Sequence, residues 1–306
     1  MKILLTGSTG FVGSVLNNSL AANYEVVSVV RKAVTDLGGD FFLVEEFNES
    51  TDFSNALIGV DIVIHLAARA HVTKENIIEP LAEFRKVNTD ATLQLAKQAA
   101  QGGVRRFIFI SSIGVNGIVN NTPFSAHDEP HPVECYAISK YEAEIGLKKI
   151  AEETGMEVVI IRPPLVYGKN APGNFGTLLK VAEKNLPLPL GAINNQRSFV
   201  AIDNLVDLIV TCVEHPNVAN QTFLVSDDEE ISTSNLLKKL TLAAGKKPWL
   251  IPVPLPFLKF LASIVGKKAA VERFSSSLTV DIEHTKNTLN WKPPITLDEG
   301  IRRCFK

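Results

Sequence analysis

Along the first half of the chain, short β-branched apolar runs alternate with longer segments whose apolar positions recur at helical spacing. The runs at 2–6, 25–30, 41–44, 61–66, 106–111 and 157–161 predict strands, and the segments at 11–22, 52–57, 80–101 and 134–154 predict helices. Such alternation predicts an α/β fold, a Rossmann-type doubly wound parallel sheet.

After RPPLVYG, Arg162 to Gly168, the rhythm gives way to longer loops rich in proline, glycine and asparagine. Helices are expected near 175–184, 203–214, 232–244 and 297–304, with a strand at 222–225. This predicts a dinucleotide-binding Rossmann domain over 1–165. A smaller C-terminal α/β substrate lobe follows over 166–306, some of whose segments return to the first domain. The cleft between the two is the default ligand site. The most apolar stretch, 249–268, contains three prolines and reads as a buried helix over 256–265. It falls short of the ~20 clean apolar residues of a spanning helix, which leaves contact with a membrane surface open.

Composition narrows the classes. A chain of 306 residues, 45% hydrophobic and 21% charged, can bury one large or two fused cores. Lysine and arginine number 31 against 33 acidic residues, with no long run of either sign, so nothing marks a nucleic-acid partner. Cys135, Cys212 and Cys304 are scattered and lack metal-ligand spacing, which fits a reducing compartment without a metal site. The opening MKILLTGSTGF carries too short an apolar run for a signal or anchor, so a cytoplasmic chain is expected.

Gly7, Gly10 and Gly13 in TGSTGFVG follow a predicted strand and open a predicted helix. That arrangement permits a tight turn, close approach of a pyrophosphate and close packing of the helix, with phosphate at the helix N-terminus. The second strand ends in Arg31 and Lys32, where an NAD site usually carries an acidic residue for the ribose; NAD(P) is expected, with a lean to NADP(H). Ser111 and Ser112 fall at the C-terminal end of the fifth strand, where open α/β sheets place ligands. Tyr136 and Lys140 stand four residues apart on one helix face, so a cation can lower a phenol that ordinarily titrates near ~10.

The set GxxGxxG, HLAA at 65–68, Val87-Asn88, SSxxxNG, YxxxK and RPPLVYG, in that order, resembles the extended short-chain dehydrogenase/reductases of the nucleotide-sugar epimerase and dehydratase group. The resemblance implies that Ser112, Tyr136 and Lys140 are catalytic. For the cofactor it implies contacts from Gly7, Gly10, Phe11, Val12, Gly13, Arg31, Leu66, Ala67, Ala68, Asn88, Ser111, Tyr136, Lys140 and Pro163. It further implies that Asn88 supports the active-site backbone, that Arg162 anchors the turn to the second lobe, and that Asn174, Arg197 and Arg273, with Ser112, hold the substrate. Guanidinium groups suit a diphosphate because they meet its oxygens bidentately.

Dehydratases of the group resemble Thr-Asp-Glu where this chain has Ser112, Ile113 and Gly114, so dehydration is disfavoured. The loop over 275–278, SSSL, has no bulky aromatic and leaves room for an N-acetyl group. In detail the chain is similar to a bacterial branch acting on UDP-N-acetyl sugars for surface polysaccharide. The expected reaction is reduction of a UDP-4-keto-6-deoxy-N-acetylhexosamine. The alternatives are a UDP-GlcNAc or UDP-glucose 4-epimerase with tightly bound NAD, and a non-catalytic dinucleotide-binding regulator. Helices 80–101 and 134–154 resemble the pair that forms the family's dimer interface, so a homodimer is expected. His65 reads as a satisfied near-core histidine and Cys135 as a packing residue; His71, His127 and His131 receive no role.

Overall fold

The structure, a computed structural model, describes residues 1–306 except 34–38, 71–78, 265 and 267; His71 and the end of the expected 256–265 helix therefore lie outside the described residues. Among the described residues there are ten strands: β1 (Lys2–Thr6), β2 (Glu25–Val30), β3 (Asp40–Leu43), β4 (Ile62–His65), β5 (Arg106–Ile110), β6 (Glu157–Arg162), β7 (Leu165–Tyr167), β8 (Arg197–Ala201), β9 (Thr222–Leu224) and β10 (Glu230–Ile231). Seven of them form one sheet in the order β3-β2-β1-β4-β5-β6-β9, every neighbouring pair parallel. The strand order reverses between β1 and β4, and a crevice opens there beyond the strand C-termini.

Period-two alternation divides the strand residues between two cores. Ile3, Leu5, Ile62, Ile64, Ile108 and Ile110 point to one face, where they pack with Leu16 and Leu20 of α1 (Phe11–Ala21). Leu4, Val63, Phe107 and Phe109 point to the other. There they meet Leu95 and Ala99 of α3 (Ala91–Gln101), which follows the short α2 (Pro80–Arg85), and Ala143 and Leu147 of α4 (Cys135–Thr154). The remaining helices are α5 (Gly173–Lys184), α6 (Ile202–Glu214), α7 (Thr233–Ala243), α8 (Leu255–Ile264), α9 (Lys268–Ser275), α10 (Glu283–Leu289) and α11 (Leu297–Arg303). Helix α6 joins the first core, and β9 completes the large sheet. A smaller sheet, β10-β8-β7, carries a third core in which Tyr167, Phe175 and Phe199 pack with Leu236, Leu240, Leu297 and Ile301.

Three expectations are corrected. Residues 52–57 form turns instead of a helix: Leu57 N is shared between Phe53 O (3.0 Å) and Ser54 O (3.3 Å), and the segment is stopped by Gly59 at φ +70° before a second helical turn can form. The expected helix 80–101 contains a π turn at Lys86–Asp90 between α2 and α3. There the Asn88 amide binds the Arg69 backbone and Ser139 Oγ, and Thr89 Oγ1 donates to Ser139 O (2.8 Å), so the widened turn serves contacts to α4. Helix α8 is not buried: only Leu258 and Ala262 turn inward, while Phe257, Phe260 and Ile264 are exposed.

Arg106, fully buried at the start of β5, fastens the sheet to α6. Its Nε donates to Glu157 Oε2 (2.6 Å), and its Nη1 donates to the carbonyls of Cys212 (2.8 Å) and Val213 (2.7 Å) in the last turn of α6, which lack helical partners. We expect Arg106→Ala to lower unfolding free energy by on the order of 3 kcal/mol, because two carbonyls and part of a carboxylate lose their donor. Arg106→Lys should restore only part of it. Urea denaturation of both variants, with an unchanged midpoint for the alanine form as the contrary result, checks this.

Candidate active site

The turn after β1 has room for glycine alone at two of its positions. Gly7 sits at φ +76°, and a Cβ there would lie 2.8 Å from Ala67 N; a Cβ on Gly13 would lie 2.0 Å from the Gly7 carbonyl oxygen. The loop backbone therefore presses against Leu66–Ala67 at the end of β4 while α1 starts directly beside it. Gly10 caps α1 without a side-chain bond, which leaves first-turn N–H groups for an anion. Ser8 Oγ is buried and has no hydrogen-bond partner among the described residues, so it awaits a group from outside the chain. These features fit a dinucleotide pyrophosphate at the sheet's reversal point.

Around this cradle the structure places the other expected cofactor residues. Phe11, Val12, Leu66 and Ala67 are half-buried and Ala68 is exposed. Pro163 is buried beyond β6, and its carbonyl accepts from Ile113 N (3.0 Å). Arg31 stands exposed past the end of β2. Asn88, expected both among the cofactor contacts and as a support of the active-site backbone, is fully buried with its amide engaged by Arg69 and Ser139. Ser111 is likewise engaged, donating to Glu144 Oε1 (2.5 Å).

Ser112, at the C-terminal end of β5, caps a short 3-10 turn by accepting from Gly114 N (3.1 Å). That turn packs on the start of α4, where a Cβ on Gly114 would lie 3.2 Å from Ala137 Cβ. The contact brings Ser112 and Tyr136 to neighbouring elements and leaves little space for a carboxylate at 114. Tyr136 is half-buried, its ring edge-on to Phe84 at 6.1 Å. One turn further, Lys140 is fully buried, its Nζ donating to Ile110 O (2.8 Å) and lying 4.3 Å from the centre of the Phe109 ring.

Burial governs the electrostatics. It pushes the Tyr136 phenol up to about 12 and the Lys140 ammonium down to about 7, with the Glu144 carboxylate pulling the lysine the opposite way. Desolvation is the cause of the phenol's rise, and the Lys140 ammonium is turned to the Ile110 carbonyl. His65, also fully buried, is paired at both ring nitrogens, with Thr6 Oγ1 (2.7 Å) and Thr92 Oγ1 (2.9 Å), and is held well below its ordinary value by burial and then by Lys140.

Glu144 and Glu134 carry parts of the site that the motifs did not reveal. Glu144 binds Arg162 through Nε (3.0 Å) and Nη2 (2.5 Å), and Arg162 Nη1 reaches Asn116 Oδ1 (2.9 Å). The signal was present as spacing, since 136, 140 and 144 share one face of a helix. Glu134, which precedes α4, pairs with Arg273 Nη2 (2.5 Å) across 139 positions, and no local pattern announces it.

Beside the smaller sheet a cavity of about 380 Å³ gathers Asn174, Arg197 and Arg273 with Leu165, Leu178, Phe199, Thr233, Leu236 and Phe274. Arg197 Nη1 donates to the carbonyls of Arg273 (2.9 Å) and Ser276 (3.3 Å). Burial, then the neighbouring Arg273 cation, lowers Arg197 from its ordinary value. Two guanidiniums beside apolar walls suit a ligand with an anionic middle and a flat apolar end. Phe274 lines this space directly ahead of the 275–278 loop, which by itself lacks an aromatic.

Known proteins share this frame. Residues 3–226 match the NAD dependent epimerase/dehydratase family. The chain is 49% identical to a UDP-glucose 4-epimerase of Vibrio cholerae, over 99% of this chain and 94% of that one. It is 26% identical to the N-acetyl-alpha-D-glucosaminyl-diphospho-ditrans,octacis-undecaprenol 4-epimerase of Escherichia coli O157:H7, over 100% and 94%. The crystal structure of Bacillus cereus UDP-glucuronic acid 4-epimerase in complex with NAD superposes with a TM-score of 0.80 at 23% identity, over 100% of this chain and 95% of that one. The family match and the 49% relative, together with the glycine cradle and parallel sheet, make this chain a member of the NAD-dependent epimerase/dehydratase family, an enzyme of extended short-chain dehydrogenase/reductase architecture.

Proposed function

We propose that the protein is a UDP-hexose 4-epimerase, acting on UDP-glucose or UDP-GlcNAc, that keeps NAD bound through both half-reactions. The observation that carries this reading is the 49% identity to the Vibrio cholerae UDP-glucose 4-epimerase across 99% of the chain. The sequence alone leans to a reductase and NADP(H), a lean that rests on Arg31 at the end of β2. It yields to the epimerase, its former alternative, because one exposed arginine weighs less than similarity along the whole chain.

Bound NAD would supply a hydride acceptor and donor at the sugar's C4. The chain's residues then handle protons and position. Tyr136 removes the C4 hydroxyl proton and returns it after the 4-keto sugar has presented its other face, while the Ser112 hydroxyl holds the same oxygen. A phenol near 12 is a poor base at neutral pH, so Lys140 must bring its cation to the phenolate when the site is assembled. Asn174, Arg197 and Arg273 hold the diphosphate, so the sugar can turn while the nucleotide stays fixed.

With UDP-glucose or UDP-GlcNAc and no added reductant, the purified protein should interconvert the C4 epimers, as read by NMR of the sugar, and denaturation should release a dinucleotide without a 2′-phosphate. Stoichiometric consumption of NADPH with a 4-keto-6-deoxy sugar, and no interconversion, would return the reading to the reductase. Tyr136→Phe should lower kcat by roughly 10²–10⁴-fold, the size of a lost general base, while leaving bound dinucleotide in place. Lys140→Met should abolish turnover without destabilising the cofactor-free protein at pH 7. Because Lys140 falls from 10.5 unfolded to about 7 folded, the unfolded chain binds the extra proton between those values, and wild-type stability rises with pH across that window and is flat below it. The methionine form lacks this rise, so its advantage should shrink from pH 7 toward pH 10 in urea titrations; a constant difference would show that the lysine is not depressed.

A further inference from the structure

We propose that the α8–α9 hairpin docks this enzyme on an anionic lipid bilayer. Helix α8 is apolar on both faces. Leu258 and Ala262 turn inward, while Phe257 (55% exposed), Phe260 (60%), Leu261 (43%) and Ile264 (68%) form an outward stripe at spacing i, i+3, i+4, i+7. A helix that only covers a core shows one apolar face, and an exposed contiguous stripe marks a binding surface. Ahead of it, Trp249 is 60% exposed, and its segment is held in place by main-chain bonds, Leu188 N to Trp249 O (3.1 Å) and Ile251 N to Leu188 O (2.8 Å).

Charge selects the occupant. Between Gly245 and Val271 the sequence has lysines at 246, 247, 259, 267 and 268 and no acidic residue, in a chain whose net charge is −2. Apolar side chains, a tryptophan and a run of lysines, of which Lys268 pairs loosely with Glu272 (3.9 Å), are what an interfacial helix presents to acyl chains and anionic headgroups. A second copy of the chain fits less well, because a two-fold contact would set this cationic patch against itself. The ten residues of α8 rise about 15 Å, and no helix among the described residues is long and apolar enough to cross a membrane, so the hairpin lies on the surface and does not span. Helix α8 packs on α9, which carries Arg273 and Phe274 of the ligand cavity. Docking would therefore bring the cavity close to the headgroups, whichever sugar nucleotide it takes.

The test is flotation of the full-length protein with vesicles of phosphatidylcholine alone and of phosphatidylcholine with about 30% phosphatidylglycerol, at about 0.05 M and 0.5 M salt. Wild type should float with the anionic vesicles at low salt and far less at high salt, and not with the neutral ones. The double variant Phe260→Ser/Ile264→Ser should lose at least ten-fold in partitioning, and so should Lys259→Glu/Lys268→Glu. Both should keep wild-type turnover in solution and wild-type circular dichroism. Ile58→Ser, at an exposed apolar site away from the hairpin, should float as wild type does. Absence of wild type from anionic vesicles, or equal partitioning of the variants, overturns the proposal. So does a dimer in vesicle-free sedimentation that the Phe260→Ser/Ile264→Ser variant dissolves without any vesicle binding, which would assign the face to a second copy.

Discussion

The buried Glu144 carboxylate holds together the three elements on which the site depends. It stands on α4, accepts from Ser111 just past β5, and takes two donors from Arg162 at the end of β6, with both ionic side chains nearly inaccessible to water. Stripping a carboxylate and a guanidinium of water is costly, and the arrangement persists only because both oxygens of Glu144 are bonded and Arg162 has a further partner in Asn116. Register is the consequence. Tyr136 and Lys140 lie two turns and one turn before Glu144 on the same helix, so fixing the carboxylate fixes where phenol and ammonium stand over the sheet's C-terminal edge.

A second constraint acts from the opposite side of the crevice. The Gly7 turn touches the end of β4 so closely that no side chain fits between them, and the imidazole of His65 bridges Thr6 of β1 to Thr92 of α3 through both ring nitrogens. The two walls of the crevice are thereby tied to one another and to α3. Desolvation behind them has an electrostatic effect, because it disfavours the charged forms of Lys140 and Tyr136 alike.

How far this was legible in the sequence depended on how local the causes were. The large sheet was legible because strands covered on both faces are almost continuously apolar, as RFIFI and EVVII are. Strands β7 and β8 were not, being 3 and 5 residues long and set among polar loops, with their pairing decided by the third core. The 52–57 segment has helical periodicity, yet it is too short to go beyond turns before Gly59 at φ +70° ends it. The glycine cradle and the 136/140 spacing could be read directly because each is a local pattern. The effect of Lys140 on Tyr136 could not, since burial decides it, and burial is a property of the whole fold. The exposure of α8 was hidden for a related reason: an apolar segment looks the same in sequence whether a core covers it or nothing does.

Epimerisation asks for two things that conflict within one site: the sugar must be free to turn, while its carrier must not leave. This architecture offers a way to separate them. On the epimerase reading the proton-handling groups stand on α4 and just past β5, whereas Arg197 and Arg273 line a cavity beside the smaller sheet, where burial and then the Arg273 cation lower Arg197. On that reading a diphosphate between the two guanidiniums would offset the repulsion between them. The Arg273–Glu134 pair links that cavity to the residue just before α4, two positions from Tyr136. Under the epimerase reading, the link sets the length of the tether. The diphosphate is fixed at one end, the C4 oxygen reaches Tyr136 and Ser112 at the other, and the rotation between half-reactions is confined to the bonds that lie between them.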